Sequence, residues 1–246
     1  MQKQPAKLSC GIAVLALAGV LGMAQAPRAS AFTIDGDRIN GIGQFDVGQS
    51  FETIFDGNVE GDTVNGLSSR AQFTLTSFNL TEFGTEVEFD IELSNTSSID
   101  SRTSAFGFDI DNGTIESVAI YPNGLFENGH TNGSFPNGFG NIEVCFTDGN
   151  NCQGGQNGGL STGESGQLSA KLTLSESVET FAMSNFGVRY QSINDGEQLS
   201  GASGTGRGTG KPAKPTSIPE PSTTIGIFLL GLGFVGGARK KRQASF

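Results

Sequence analysis

An all-β fold, an antiparallel β-sandwich of jelly-roll type, is what three features of this 246-residue sequence predict. Apolar residues recur at every second position in a series of short runs. Asn-Gly and Asp-Gly pairs punctuate the intervals between those runs. No stretch between them has the three-to-four-residue apolar spacing of an amphipathic helix.

The elements follow in chain order. Residues 51–55 make a weak first run, and 71–75 alternate Ala71, Phe73 and Leu75 with polar neighbours. The clearest strand is 86–94, where Val87, Phe89, Ile91 and Leu93 alternate with Glu86, Glu88, Asp90 and Glu92, giving one apolar and one hydrated face. The same period recurs at 106–110, weakly at 118–120, and again at 142–146, 168–174 and 186–190. Turn chemistry separates these runs at Asp56-Gly57, Asn65-Gly66, Asn112-Gly113, Asn123-Gly124 and Asn137-Gly138. Residues 123–163 are so crowded with Gly and Asn that they read as long loops, broken only by the strand that ends at Cys145. No internal repeat supports a solenoid.

The sandwich occupies residues 32–200 and is flanked by segments of another kind. Lys3 and Lys7 precede an apolar run over 11–24, too short for a stable span, which reads as a secretory signal peptide over residues 1–31. Of two small-x-small sites, the second is preferred because Pro27 directly follows the first. Cleavage then falls between Ala31 and Phe32. Cys10 precedes the apolar run, the wrong order for a lipoprotein signal. After the sandwich, residues 201–217 are polar and rich in Gly, Pro, Ser and Thr, the composition of a flexible linker.

Residues 218–246 are composite. Pro219-Glu220-Pro221 holds an extended, non-helical backbone, so a helix can start only after Pro221. An apolar run over 223–238 follows. As a helix from Ser222 to Ala238 it spans about 25 Å, marginal for a bilayer core of about 30 Å. Arg239, Lys240, Lys241 and Arg242 then act as a basic stop segment that keeps the C-terminus on the cytoplasmic side. This order closely resembles the PEP-CTERM sorting tail of exported proteins in exopolysaccharide-producing Gram-negative bacteria. The resemblance implies an exosortase as processing partner and a cut near the Pro-Glu-Pro motif. The inner membrane is then only a transient partner of a single-span precursor, and the product goes to the cell surface or beyond. A permanent single-span anchor is the alternative that the apolar run equally allows. Five glycines between 226 and 237 weaken the helix and suit a processing substrate better. Segments 142–145, 152–160, 168–174 and 188–193 are also similar to the cistern family of PEP-CTERM proteins, in which a defining pair of cysteines precedes a Gly-rich turn.

Charge narrows the partners. Between residues 32 and 200, 24 carboxylates stand against five basic residues, a net charge of −19. Phosphate binding needs Lys and Arg to displace counterions, so nucleic acid is excluded. Cys145 and Cys152 are an even pair in a secreted chain and predict a disulfide, whose small loop contributes at most about 2–3 kcal/mol. A zinc site is the weaker alternative, because it needs four Cys or His ligands and the chain has one histidine, His130.

Catalytic chemistry has little to stand on. His130 is the only base available to a Ser or Cys nucleophile, and it sits between glycines in a loop-like stretch. With so many carboxylates, some pair always falls at glycosidase spacing, so that pattern discriminates nothing. Trp, the common sugar-stacking residue, is absent. Phe126, Phe135 and Phe139 in the Gly-rich region either form an exposed platform or pin that region to the core. No cofactor is expected. Calcium is the only candidate, at Asp35 and Asp37, at Asp109 and Asp111, or around Asp148, although none fits a twelve-residue calcium loop. The expected function is a non-enzymatic surface or extracellular-matrix protein associated with exopolysaccharide. A polysaccharide-acting enzyme and a calcium-dependent adhesin are the alternatives.

Overall fold

The structure is a computed structural model that describes residues 32–213, apart from 123 and 156. The signal peptide, Ala31, Pro219, Glu220 and Pro221, the apolar run and the basic segment lie outside the described residues. Among the described residues every strand pairing is antiparallel and there is no α-helix. The strands are β1 (Thr33–Asp35), β2 (Arg38–Gly43), β3 (Ser50–Phe55), β4 (Asn58–Val59), β5 (Asp62–Thr63), β6 (Ser69–Thr81), β7 (Gly84–Asn95) and β8 (Asp100–Asp111). They continue with β9 (Ile115–Ile120), β10 (Asn128–Phe135), β11 (Gly140–Thr147), β12 (Leu160–Ser161), β13 (Ser165–Leu174), β14 (Thr180–Asn194) and β15 (Ala202–Pro212). A single 3-10 turn, Gln44–Asp46, links β2 to β3.

Two sheets face each other. One runs β10-β11-β8-β14, and the other runs β3-β6-β7-β13-β9. The strand β15 belongs to both. Its first half pairs with β14, from Ala202 opposite Ile193 to Arg207 opposite Gly187, and its second half pairs with β3, from Gly208 opposite Phe55 to Pro212 opposite Phe51. Where β15 leaves β14, β2 takes its place, with Gly43 opposite Thr180. On the far side β9 meets β10, where Val118 lies against Gly129, so the sandwich is nearly closed into a flattened barrel. The pairs β6–β7, β10–β11 and β14–β15 are hairpins within a sheet. The connections from β7 to β8, β8 to β9, β12 to β13 and β13 to β14 cross between sheets, as a jelly-roll-like sandwich requires.

Alternation places the core. The inward residues of 86–94, Val87, Phe89, Ile91 and Leu93, are all buried. Phe73 sits at the centre, stacked on Phe51 at 4.8 Å between ring centroids and edge-on to Phe89, Phe106, Phe108 and Phe186 at 5.8–6.2 Å. Such pairs add about 0.5–1.5 kcal/mol each beyond the burial of their area.

Two sequence expectations need correction. Residues 202–212 are a strand joining the two sheets, so most of the linker expected over 201–217 is folded and the domain extends past residue 200. Glycine serves close approach there: a Cβ on Gly208 would lie 2.4 Å from Thr53 Cγ2 and 2.7 Å from Phe186 Cβ. Residues 123–163 hold the expected strand as β11, but also β10 and β12 where long loops were expected. β10 has almost no apolar residues, and its pairing with β11 rests on backbone hydrogen bonds that a periodicity test cannot register.

Candidate functional site

The acidic face of β7 is the centre of a polar surface across the outer side of the second sheet. Antiparallel register sets its residues in ranks. Glu52, Gln72, Glu92 and Gln167 form one rank, and Ser50, Thr74, Asp90 and Ser169 form the next. Gln72, Thr74, Asp90, Glu92, Gln167 and Ser169 line a shallow groove of about 300 Å³. Ser169 Oγ donates to Asp90, and the Ser50 and Thr74 hydroxyls are 2.8 Å apart. Tyr121, about half exposed, is joined to Ser169 through its backbone N–H at 3.0 Å, and its hydroxyl donates to Glu88 Oε1 at 2.8 Å. That bond, with the nearby Glu88 charge, holds the phenol pKa above its ordinary value. Lys171 Nζ lies 2.8 Å from Glu86 Oε1, and the bond raises the lysine pKa. These side chains offer carboxylates, amides and hydroxyls along one open surface. The alternation at 86–92 made the hydrated face legible in the sequence, but the ranks contributed by β6 and β13 depend on register.

A second cluster surrounds the disulfide. Cys145 on β11 is bonded to Cys152, both buried, with Cα atoms 6.0 Å apart. Phe135 and Phe139 pack with them and with Ile142 and Ala105 in a small separate core, while Phe126 joins the main core. The three rings therefore pin the Gly-rich region and offer no exposed platform. Arg207 caps Phe139 at 4.4 Å from the ring centroid. Close approach again explains glycine here: a Cβ on Gly133 would fall 2.0 Å from Cys152 Sγ. His130 on β10 lies with Nε2 3.1 Å from the Gly149 carbonyl oxygen and holds the loop that follows β11.

Two arginines that sequence reading passed over secure that loop. Arg102 donates to the Gly155 carbonyl and to Gln191 Oε1, each at 2.9 Å, and also to the Gly158 carbonyl. Arg189 is 7% exposed and donates to the carbonyls of Gly204 at 2.9 Å, Tyr190 at 3.1 Å and Gln153 at 3.3 Å. Burial lowers both guanidinium pKa values. No local pattern marks a basic residue that will be buried among carbonyls from distant segments.

The calcium candidates at Asp109, Asp111 and Asp148 have other duties. Asp111 Oδ2 accepts from Arg38 and from Ser184 Oγ, both at 2.6 Å, and Asp109 accepts from the Glu143 N–H and from Asn185 Nδ2, both at 2.8 Å. Asp148 accepts the N–H groups of Glu127 and Gly159 at 3.0 Å. Among the described residues no three His, Cys, Asp or Glu side chains gather as a metal site. At the expected cleavage boundary, the Phe32 ring packs edge-on to Phe51 at 5.8 Å and its N–H lies 3.3 Å from Asp46 Oδ1.

An acidic, disulfide-bonded β domain followed by Pro-Glu-Pro, an apolar run and a basic cluster defines an exported protein with a C-terminal sorting tail. Residues 217–242 match the family model of the PEP-CTERM protein-sorting motif, a motif that implies export and processing by an exosortase. No curated protein and no solved structure matches the chain.

Proposed function

We propose that the released domain is a non-enzymatic surface or extracellular-matrix component that associates with exopolysaccharide through the outer face of its second sheet. The supporting observation is the groove lined by Gln72, Thr74, Asp90, Glu92, Gln167 and Ser169. Sugar hydroxyls both donate and accept, and amide, carboxylate and hydroxyl groups in ranks match that chemistry without an aromatic platform. The acidity of the face and the net charge of −19 over residues 32–200 select neutral over acidic polysaccharide.

The exported protein should be retained on a neutral polysaccharide matrix and pass through an acidic one. Replacing Gln72 and Gln167 together by Ala should weaken retention by roughly tenfold, since each lost hydrogen bond is worth about 0.5–1.5 kcal/mol. Equal retention of the double variant would remove the groove from the mechanism, and depolymerisation at catalytic turnover would make the protein an enzyme.

A further inference from the structure

We infer that, in the membrane-held precursor, the end of the sandwich carrying Phe45, Val47, Leu80 and Phe83 rests on the outer surface of a zwitterionic lipid bilayer. The inference rests on the reading that the apolar run after Pro221 is held in the membrane.

Among the described residues the exposed large apolar side chains are Phe45 (81%), Val47 (42%), Leu80 (48%), Phe83 (87%) and Tyr121 (47%), and the first four belong to one end of the molecule. Phe45 and Leu80 line a common hollow with Gly43 and Glu179, Phe83 lies in the turn from β6 to β7, and Val47 lies between β2 and β3. Burying such side chains is favourable by about 25 cal/mol per Å², and leaving them in water needs a reason.

The course of the chain supplies one. β15 runs toward this end, and its last residue, Pro212, stands level with Phe51 and Phe73. From Phe73, β6 continues seven residues to Leu80, about 23 Å at roughly 3.3 Å per residue. From residue 213 to Pro221 there are nine residues, which reach about 30 Å at full extension. At full extension the segment joining β15 to the apolar run therefore exceeds the distance from Pro212 to the exposed tip by only about 7 Å. The headgroup layer adds about 5–7 Å on the outer side and closes most of the remaining gap. Glu82 and Glu179 flank the apolar side chains and disfavour an anionic surface, so zwitterionic lipid is the fitting partner.

The test uses the leader-free chain, residues 32–246, with Pro219, Glu220 and Pro221 each replaced by Ala, reconstituted in phosphatidylcholine vesicles. Retention after an alkaline wash reports the membrane-held tail. A fluorophore is then attached at Phe83→Cys or, on the opposite end, at Asp62→Cys, and quenched with nitroxide-bearing lipid. Residue 83 should be quenched several-fold more than residue 62, and Phe45→Ser should reduce the difference, because a side chain 81% exposed supports contact and not the core. Equal quenching in washed, retained vesicles overturns the docking and leaves the tail reading intact. Loss of the protein on washing overturns both. Shielding of residue 83 from aqueous quencher without lipid quenching assigns the patch to a second copy of the chain and overturns the inference.

Discussion

Tyr190 is the largest of the fully buried side chains, and its environment has a measurable consequence. It lies on β14 between Thr103 of β8 and Gly204 of β15, and its hydroxyl has no hydrogen bond of good geometry. Burial raises the phenol pKa above the ordinary value of 10.0. The unfolded chain therefore releases this proton first. Stability from the group is fully present below pH 10.0 and is lost progressively as the pH climbs from there toward the higher folded value. Urea unfolding of wild type and Tyr190→Phe should differ by less than about 1 kcal/mol at pH 7, since no formed hydrogen bond is removed. Above pH 10.0 the variant should become progressively the more stable of the two. Parallel pH curves would show that the hydroxyl reaches solvent or a partner. Residue type does not set Tyr190, within β14, apart from Tyr121, just past the end of β9: packing separates the buried phenol from the half-exposed one.

Among the strands, β15 shows how composition misleads. Seven-residue alternation such as 87–93 declares a strand because water and core sort its side chains, whereas Gly204, Gly206, Gly208 and Gly210 have no side chains to sort. Their meaning is steric. A Cβ on Gly206 would lie 2.0 Å from the Asp56 carbonyl oxygen, so backbone fills the space that a side chain would otherwise take. Because both edges of β15 are paired, removing it exposes β14 and β3 together and opens the aromatic core between them. A chain stopped after residue 200 should fail to give the native near-ultraviolet circular dichroism, and one stopped after residue 213 should retain it. Native spectra from both would make β15 an accessory to the fold. The polar ranks of the candidate groove were half legible: 86–92 revealed its acids, but Gln72 and Gln167 join them through pairings across β6, β7 and β13.

At the scale of the whole chain, export and processing govern the design. Moving Arg239, Lys240, Lys241 and Arg242 to the bilayer centre costs about 2.5–3.5 kcal/mol for each charge, so the expected course is a tail that stops in the membrane and is released by a cut on the outer side. Pro219-Glu220-Pro221 lies within the matched sorting motif, and its two prolines make it the expected recognition segment for that cut. Its replacement by three alanines should leave an uncut, membrane-bound precursor. Mass spectrometry of the secreted wild-type protein should find neither the leader before Phe32 nor the basic tail, and recovery of peptides ending at Phe246 would establish a permanent anchor instead.

The tail and the strand alternation were readable before any coordinates because each is encoded in consecutive residues. A proline pair, an apolar run, a basic cluster or a two-residue period acts through local backbone geometry and transfer to water or lipid. The pairing of Cys145 with Cys152 was readable for a similar reason, since two exported thiols seven residues apart have few alternatives. The role of the glycine strand, the burial of Arg189 and the order of the groove came from contacts between segments distant in sequence. Gly204 receives Arg189 across 15 residues, and Arg207 reaches Phe139 across 68. Such contacts are chosen by which surfaces meet when two sheets close on one core, and no window of neighbouring residues contains that information.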